Sequence, residues 1–156
     1  MCGFFGSINL DDINIEDRFF NQLLSTLDHR GPDEKNVKSL GNAQFGNTRL
    51  SIIGLNTLKS SLPISDGSFL LAYNGEIYNY QKLNDYLKKN NIKVEGKSDS
   101  ETLFVLLKNF GIQKTLSLID GMYAFSFYDK ENQKLYMARD KIGERFIYWG
   151  LNNKKL

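Results

Sequence analysis

The sequence predicts a single α+β domain whose strands and helices form separate layers. Segments of strand character lie near both ends of the chain, and segments of helical periodicity are grouped mainly between them. The 156 residues suffice for one domain with a substantial core. Hydrophobic residues make up 41% of the chain and charged residues 24%, which is typical of folded rather than disordered proteins. We therefore expect one core without regular alternation of strand and helix.

The beginning of the chain predicts a strand, an amphipathic helix and a loop. Residues 3–9 are short and apolar, as expected of a first strand. Residues 16–27 carry one wide apolar stripe at helical spacing and predict a helix. The stripe consists of Phe19, Phe20, Leu23, Leu24 and Leu27. Gly31 and Pro32 break this pattern, which makes residues 29–34 a predicted turn or loop.

The middle of the chain predicts two further strands. Residues 43–53 have strand character, and Arg49 lies near their end. Residues 69–73 are an apolar run with the length of a buried strand. Asn74 and Gly75 are predicted to end that strand, because Asn-Gly is a common turn dipeptide.

Three helices are predicted next. Residues 80–89 and residues 99–109 both place apolar side chains at helical spacing. Ser98 and Glu101 have the spacing of a capping box, with Ser98 at the N-cap of the second helix and Glu101 at its third residue. Residues 113–119 are predicted as a short third helix.

The last part of the chain predicts strands joined by polar turns. Residues 122–128 and 134–139 have the pattern of two paired strands, and residues 147–150 begin another. Asn152 and Asn153 have the character of a hairpin tip, yet the chain stops shortly after them. We therefore expect a fragment of a longer protein.

Charge and composition exclude several classes of function. The net charge of +2 suggests neither a nucleic acid nor an acidic membrane as a partner. One cysteine and one histidine argue against a structural zinc site, which needs about four ligands. The single cysteine also excludes an internal disulfide and suits a reducing compartment. No stretch approaches the ~20 apolar residues of a membrane helix, and the first residues lack the pattern of a signal peptide. We expect a cytoplasmic protein.

Cys2 is the candidate nucleophile. It is the only cysteine, and it directly follows Met1. Removal of Met1 would leave a thiol and a free α-amine on one residue. A thiolate is a strong nucleophile, and an α-amine, which titrates near pH ~7.7–8.0, can act as its base. Taken by itself, however, a lone cysteine near an N-terminus is more often incidental.

Seven short motifs in sequence order carry a resemblance to a known family. They are Cys2-Gly3-Phe4-Phe5-Gly6, His29-Arg30-Gly31-Pro32-Asp33, Arg49-Leu50-Ser51-Ile52, Asn74-Gly75-Glu76-Ile77-Tyr78-Asn79, Ser98-Asp99-Ser100-Glu101, Asp120-Gly121-Met122-Tyr123-Ala124-Phe125 and Arg139-Asp140-Lys141-Ile142-Gly143. Each motif alone is weak, but seven in order are highly specific. Together they resemble the glutaminase domain of class II glutamine amidotransferases, the type with an N-terminal nucleophile, and especially its asparagine synthetase branch.

The resemblance implies a fold, a reaction and partners. The fold is a four-layer αββα sandwich of the N-terminal-nucleophile hydrolase type, covering residues 1–156. The reaction is hydrolysis of the glutamine side-chain amide through a glutamyl thioester, which supplies ammonia for the ATP-dependent amidation of asparagine biosynthesis. The partners are glutamine and a synthetase domain of the same chain, and a homodimer is compatible with the family. No cofactor is expected in this domain; ATP and Mg²⁺ would bind in the synthetase domain, which these residues lack.

The resemblance also assigns catalytic roles. Cys2 is the nucleophile, and its α-amine is the base. Asn74 and Gly75 match the pair that forms the oxyanion site, through the Asn74 side-chain amide and the Gly75 backbone N–H. The turn interpretation of Asn74-Gly75 does not exclude this role, because a tight bend can expose an amide.

Four residues match the substrate-binding positions of the family. Arg49 would hold the α-carboxylate of glutamine, since Arg offers a bidentate fork. Asp99 would hold the α-ammonium with Glu76 nearby, and Ile52 belongs to the same set. The alternatives are that Arg49 is a surface charge and that Asp99 only favours a helix N-terminus.

The remaining motif residues are predicted to be structural. His29 is the only histidine, but the family uses the α-amine as its base. Arg30 and Asp33 are predicted to fix a loop or a domain interface. Arg139, Asp140, Gly143 and Arg145 are predicted to shape a turn.

The chain also departs from the family pattern. Members often carry His-Glu where this chain has Asn47-Thr48, Gln-Pro where it has Leu62-Pro63, and proline where it has Phe146. These departures leave the branch of the family, and hence the acceptor of ammonia, undecided.

Two alternatives to the leading interpretation remain at this point. The same glutaminase could serve another acceptor, for example a sugar or another carboxylate. The domain could also be a non-catalytic module that binds glutamine or another protein. An intact Cys2 within the full residue set argues against this last interpretation.

Overall fold

The computed structural model describes residues 2–10, 16–49, 61–95 and 98–151. Ile52, the end of the predicted strand 43–53 and the Asn152-Asn153 hairpin tip lie outside these residues. None of the helices within the described ranges has the length and apolar character that a membrane crossing requires.

Seven strands and three helices make up the described part of the chain. In chain order they are β1 (Gly3–Ile8), α1 (Asp17–Ser25), a 3₁₀ turn (Asp28–Arg30), β2 (Glu34–Leu40), β3 (Ala43–Arg49), β4 (Ile64–Ser65), β5 (Phe69–Ile77), α2 (Tyr80–Lys89), α3 (Asp99–Leu118), β6 (Gly121–Asp129) and β7 (Lys134–Arg139). The strands form two antiparallel sheets, with strand order β1-β3-β2 in the first and β4-β5-β6-β7 in the second.

The elements stack in four layers. Helix α1 covers the outer face of the first sheet, where Phe20 and Leu24 are fully buried and Phe20 packs against Phe5 of β1. An apolar cluster lies between the two sheets; its buried members are Ile8, Leu40, Ala43, Phe45, Leu70, Ala72 and Tyr128. A larger cluster joins the outer face of the second sheet to α2 and α3. The predicted αββα sandwich is confirmed.

Strand β5 contributes side chains to both apolar clusters. Leu71, Tyr73 and Ile77 pack toward the helices, whereas Leu70 and Ala72 pack between the sheets. Side chains along a strand alternate between its two faces. The row that faces the first sheet therefore continues through residues 74 and 76, which are polar.

Helix α3 begins at the predicted cap and breaks at a glycine. The hydroxyl of Ser98 accepts a hydrogen bond from the Glu101 N–H at 3.2 Å, which confirms the predicted cap. Gly111 has a φ of 72° inside the helix, a conformation that favours glycine, and so it separates two helical segments. This break explains why residues 99–109 and 113–119 were predicted as two helices.

Three sequence-based predictions differ from the structure. Asn74-Gly75 does not end β5, because the strand continues to Ile77 against β6 and Gly75 has no positive φ. Strand β2 has no apolar pattern that would predict it, because it is a polar strand stabilised by pairing with β3. Residues 147–150 form no strand within the described part of the chain.

Candidate functional site

Cys2 and Arg49 lie side by side at the end of the first sheet. Cys2 directly precedes β1, and Arg49 is the last residue of β3. Gly3 pairs with Thr48, so the next step of this antiparallel register brings Cys2 opposite Arg49. The thiol is free and partly buried.

The side chains of Cys2 and Arg49 face the second sheet. Phe4 on β1 and Phe45 on β3 pack between the sheets, and side chains an even number of residues apart share a face. Cys2 therefore projects in the direction of Phe4, and Arg49 in the direction of Phe45. Asn74, on the facing row of β5, points back toward them.

Asn47 connects the two halves of this region. Its side-chain Nδ2 donates to the carbonyl of Gly3 at 3.3 Å and to the carbonyl of Tyr73 at 3.0 Å. Gly3 follows Cys2, and Tyr73 precedes Asn74. Asn47 is only 3% exposed, so one buried amide joins the backbone beside the candidate nucleophile to the backbone beside the candidate oxyanion residue.

The backbone N–H of Gly75 points to an edge of β5 that no other described strand covers at this position. Gly75 stands opposite Tyr123 in β6, whose N–H and C=O both bond to Asp140 on the other side. This arrangement makes the Gly75–Tyr123 pair non-hydrogen-bonded, so the backbone groups of Gly75 face away from β6. Tyr73 C=O and Ile77 N–H face the same way, toward Asn47 and Asp99 respectively. The geometry thus makes the Gly75 N–H accessible as a donor.

Gly75 also has no room for a side chain. A Cβ at this position would overlap the Met122 carbonyl oxygen and would lie 2.6 Å from Tyr123 Cα. The sheet therefore requires glycine here for a packing reason that is independent of any chemistry.

Asp99 lies at the same edge of β5, as the first residue of α3. Its Oδ2 accepts from the Tyr73 hydroxyl at 2.6 Å and from the Ile77 N–H at 3.1 Å, and its Oδ1 accepts from the Ser100 N–H at 2.8 Å. These three donors fix the carboxylate. Burial, together with the negative charge of Asp99, raises the pKa of Tyr73 far above its usual value, so the phenol remains a donor. The sequence did not single out Tyr73 for this contact, although its position on the helix-facing row of β5 is a signal for it.

The loop before β2 packs against Cys2 and Arg49. The Arg30 Nε donates to the Cys2 carbonyl at 3.4 Å, and a Cβ at Gly31 would overlap the Arg49 backbone. Arg49 Nη1 lies 3.5 Å from a carboxylate oxygen of Glu34, with both side chains partly exposed. The sequence predicts Arg30 only to fix a loop or a domain interface and does not identify Glu34. The available signal was that the motif with Arg30 directly follows the Cys2 motif in the ordered set.

His29 does not serve the site in this arrangement. Its ring Nδ1 lies 3.0 Å from the Thr26 carbonyl, in the turn after α1. This local contact supports the structural role predicted for the only histidine in the chain.

The turn after β7 is organised by one carboxylate. Asp140 is 5% exposed and accepts from the N–H groups of Tyr123, Gly143, Glu144 and Arg145. Burial alone would raise the pKa of Asp140, but these hydrogen bonds outweigh it and lower the pKa to about 2. The predicted structural role is thereby supported.

Arg145 extends from this turn toward the end of β5. Its Nη2 lies 2.8 Å from the Met122 sulfur, and Met122 pairs with Glu76 across the sheet. Glu76 is exposed at the rim of the same face.

Six of the seven predicted site residues therefore converge at one end of the sandwich. Cys2 and Arg49 come from the first sheet, and Asn74, Gly75 and Glu76 from β5. Asp99 approaches from α3 along the open edge of that strand, while Ile52 is not among the described residues. The set offers a thiol, backbone and side-chain amide donors, one cation and two carboxylates. Within the described ranges, no group of three or more His, Cys, Asp or Glu side chains is arranged to hold a metal ion.

Comparison with known proteins identifies a family to which the chain is similar. A family model described as a glutamine amidotransferase domain matches residues 1–156. The chain is 31% identical to asparagine synthetase [glutamine-hydrolyzing] 1 of Bacillus subtilis, over 100% of this chain and 25% of that protein. It is 37% identical to a probable asparagine synthetase [glutamine-hydrolyzing] of Acanthamoeba polyphaga mimivirus, over 99% of this chain and 28% of that protein. The chain thus spans about a quarter of the length of these relatives.

A solved structure shares the fold. Glutamine phosphoribosylpyrophosphate amidotransferase from B. subtilis, solved with ADP and GMP, superposes with a TM-score of 0.80 at 19% identity. The match covers 97% of this chain and 40% of that one.

Proposed function

This chain belongs to the family of glutamine amidotransferase domains, and from that premise we propose that it hydrolyses the side-chain amide of glutamine to release ammonia. The observation that carries the proposal is the convergence of Cys2, Arg49, Asn74, Gly75 and Asp99 at one end of the two sheets.

The nucleophile acts after Met1 has been removed. The free α-amine of Cys2 takes the thiol proton, directly or through a water, and the thiolate attacks the carbonyl carbon of the amide. The negative oxygen of the tetrahedral intermediate accepts hydrogen bonds from the Asn74 side chain and the Gly75 N–H. The α-ammonium returns its proton to the leaving nitrogen, and ammonia departs. Water then cleaves the glutamyl thioester, which yields glutamate and restores the thiol.

The amino-acid end of glutamine requires one cation and one anion. Arg49 binds the α-carboxylate; its guanidinium has five donors, so the contact with Glu34 leaves others for substrate. Asp99, fixed by Tyr73 and Ile77, binds the α-ammonium, with Glu76 beside it.

The test is ammonia release from glutamine by the intact protein and by its Cys2→Ala variant. Intact-mass analysis first establishes that Met1 is absent. We expect release from the wild type and none above background from the variant. Equal release by the two proteins would reject the proposal.

We further propose that the ammonia serves an ATP-dependent amidation of the asparagine synthetase type in the cytoplasm. The support is the similarity to asparagine synthetases that are about four times longer. ATP and Mg²⁺ would bind in a synthetase domain of the same chain. Exposed apolar side chains after β7 would contact that domain; they are Ile142, Phe146, Tyr148, Trp149 and Leu151.

This extension is tested separately. The intact protein is supplied with ATP, Mg²⁺ and either aspartate or a sugar carboxylate, with glutamine as the nitrogen source. Formation of asparagine supports the extension. Ammonia release without amidation of aspartate would contradict it and leave the glutaminase proposal unaffected.

A further inference from the structure

We propose that Asn47 is a positioning residue for this reaction: it holds the nucleophile at a fixed distance from the oxyanion pair and accepts a hydrogen bond from the Cys2 α-amine. This inference rests on the proposed glutaminase function. Asn47 stands where the resembling family often carries histidine, and nothing in the motif set assigns it a role.

The hydrogen bonds of Asn47 define the orientation of its amide. Its two partners, the Gly3 and Tyr73 carbonyls, are both acceptors, so only the NH₂ group of Asn47 can face them. One donor goes to each sheet. Asn47 therefore fixes the spacing between the backbone next to Cys2 and the backbone next to Asn74. A displacement of about 1 Å between reacting groups can cost about a hundredfold in rate.

The other atom of this amide lacks a partner. The Oδ1 of Asn47 is buried and has no hydrogen bond within the described residues. Buried acceptors without a partner are uncommon in folded proteins. The Asn47 side chain and the Cys2 side chain share the face between the sheets, and the Cys2 α-amine lies one residue from Gly3. Release of that nitrogen from its peptide bond to Met1 frees it to rotate and adds N–H donors to the one it already has, and one of these reaches Oδ1 directly or through one water.

An oxygen acceptor near the α-amine raises its pKa, because it stabilises the protonated form more than the neutral form. The charged groups on the elements around this terminus are Arg30 in the 3₁₀ turn, Arg49 at the end of β3 with Glu34 of β2 beside it, Glu76 on β5, and Arg145 in the turn after β7. These groups include both positive and negative charges, and a substitution at Asn47 changes none of them.

The test compares Asn47→Ala and Asn47→His with the wild type in the intact protein. The pH dependence of kcat/KM for glutamine gives the rate, and competitive acetylation of the N-terminus, followed by mass spectrometry, gives the pKa of the α-amine. In Asn47→Ala we expect that pKa, and the acid limb of the profile, to move down by about half a unit to one unit. The plateau of kcat/KM should fall by about tenfold or more. In Asn47→His the side chain offers one donor and one acceptor, so we expect both the α-amine pKa and the plateau of kcat/KM to return most of the way to their wild-type values.

Gln44 provides a matched control. It is a buried side-chain amide on the same strand, but it faces α1, where its Nε2 donates to Asp17 at 2.8 Å. Gln44→Ala should lower the melting temperature as Asn47→Ala does, yet leave the α-amine pKa and the acid limb unchanged. If Asn47→Ala does not melt cooperatively, Asn47→Ser is measured in its place.

The outcomes separate the two proposals. An unchanged α-amine pKa in the Asn47 variant, or an equal shift in Gln44→Ala, overturns the role of Asn47. Because acetylation is measured without glutamine, it reports on Asn47 even if the wild type releases no ammonia. If the wild type releases no ammonia but the α-amine pKa is lower in Asn47→Ala than in the wild type, the glutaminase proposal is rejected and the contact between Asn47 and the α-amine is retained.

Discussion

At the scale of single residues, the structure replaces a list of motif positions with a set of contacts. Asp99 is held by three donors, one of them the hydroxyl of Tyr73, which the sequence pattern describes only as a buried strand residue. The motif positions could be read from the sequence because each has a distinctive residue type. Tyr73 and Asn47 could not, since their importance comes from partners in other elements.

Tyr73→Phe removes the hydroxyl that orients Asp99 and keeps the buried ring. A hydrogen bond to a charged group contributes about 1.5–3 kcal/mol. We expect the KM for glutamine to rise about tenfold while kcat changes less than about threefold, as measured by steady-state ammonia release. Tyr128→Phe is the control, because it removes a buried tyrosine hydroxyl that bonds to Asn42, away from the site. An equal rise in KM in both variants would contradict the prediction.

Asp140 gives a prediction about pH. Its pKa is lowered from 3.8 to about 2 in the folded protein. A lowered folded-state pKa means that the stabilisation is complete above about pH 4 and is lost as the pH falls toward 2. The difference of nearly two units corresponds to about 2 kcal/mol.

Asp140→Asn should therefore unfold in urea with a free energy about 2 kcal/mol lower than the wild type at neutral pH. The gap should close as both proteins are titrated from about pH 4 to about pH 2. Asp120→Asn, at an exposed position, should stay within about 0.5 kcal/mol throughout. A gap that persists at low pH would show that the charge of Asp140 is not the cause.

At the scale of elements, periodicity predicted the helices and the apolar strands, because those patterns reflect burial on one face or two. It did not predict β2, whose residues are mostly polar and partly exposed, so that pairing with β3 alone makes it a strand. The turn preference of Asn74-Gly75 was overridden for the same reason: nine consecutive residue pairs with β6 carry β5 to Ile77.

Gly111 tests the local conformation of α3. Its φ of 72° is unfavourable for a residue with a side chain, although a Cβ there would touch nothing within 4 Å. Gly111→Ala should therefore lower the free energy of unfolding by about 1–2 kcal/mol through backbone strain alone. Gly150→Ala is the control, since position 150 has equal space and no positive φ. Equal unfolding free energies for the two variants would contradict the assigned strain.

At the scale of the whole molecule, the sandwich brings residues from both sheets and α3 to one end. The sequence could predict this only through the resemblance of seven ordered motifs, since no local pattern reports which strands face each other. Local sequence patterns also do not predict that the apolar side chains after β7 are exposed. Tyr148 is 91% and Trp149 70% exposed. These exposures exclude a position in the core for both side chains.

Trp149 is the only tryptophan of the chain and so reports on this surface. If a synthetase domain covers it, acrylamide should quench Trp149 fluorescence several-fold less in the intact protein than in a protein that ends at residue 156. Other tryptophans of the intact protein are replaced by phenylalanine for this measurement. Equal quenching would mean that no such domain covers this surface.

The lack of space at Gly75 has a practical consequence for anyone who wants a folded but inert protein. Any side chain at this position would push β5 and β6 apart, so a substitution at Gly75 would displace the proposed oxyanion donor and disrupt the sheet at the same time. Loss of activity there would not distinguish chemistry from misfolding. An inactive variant for glutamine-binding experiments, such as crystal soaking or calorimetry, is better made by substitution at Cys2 or Asn74, where the backbone tolerates other residues.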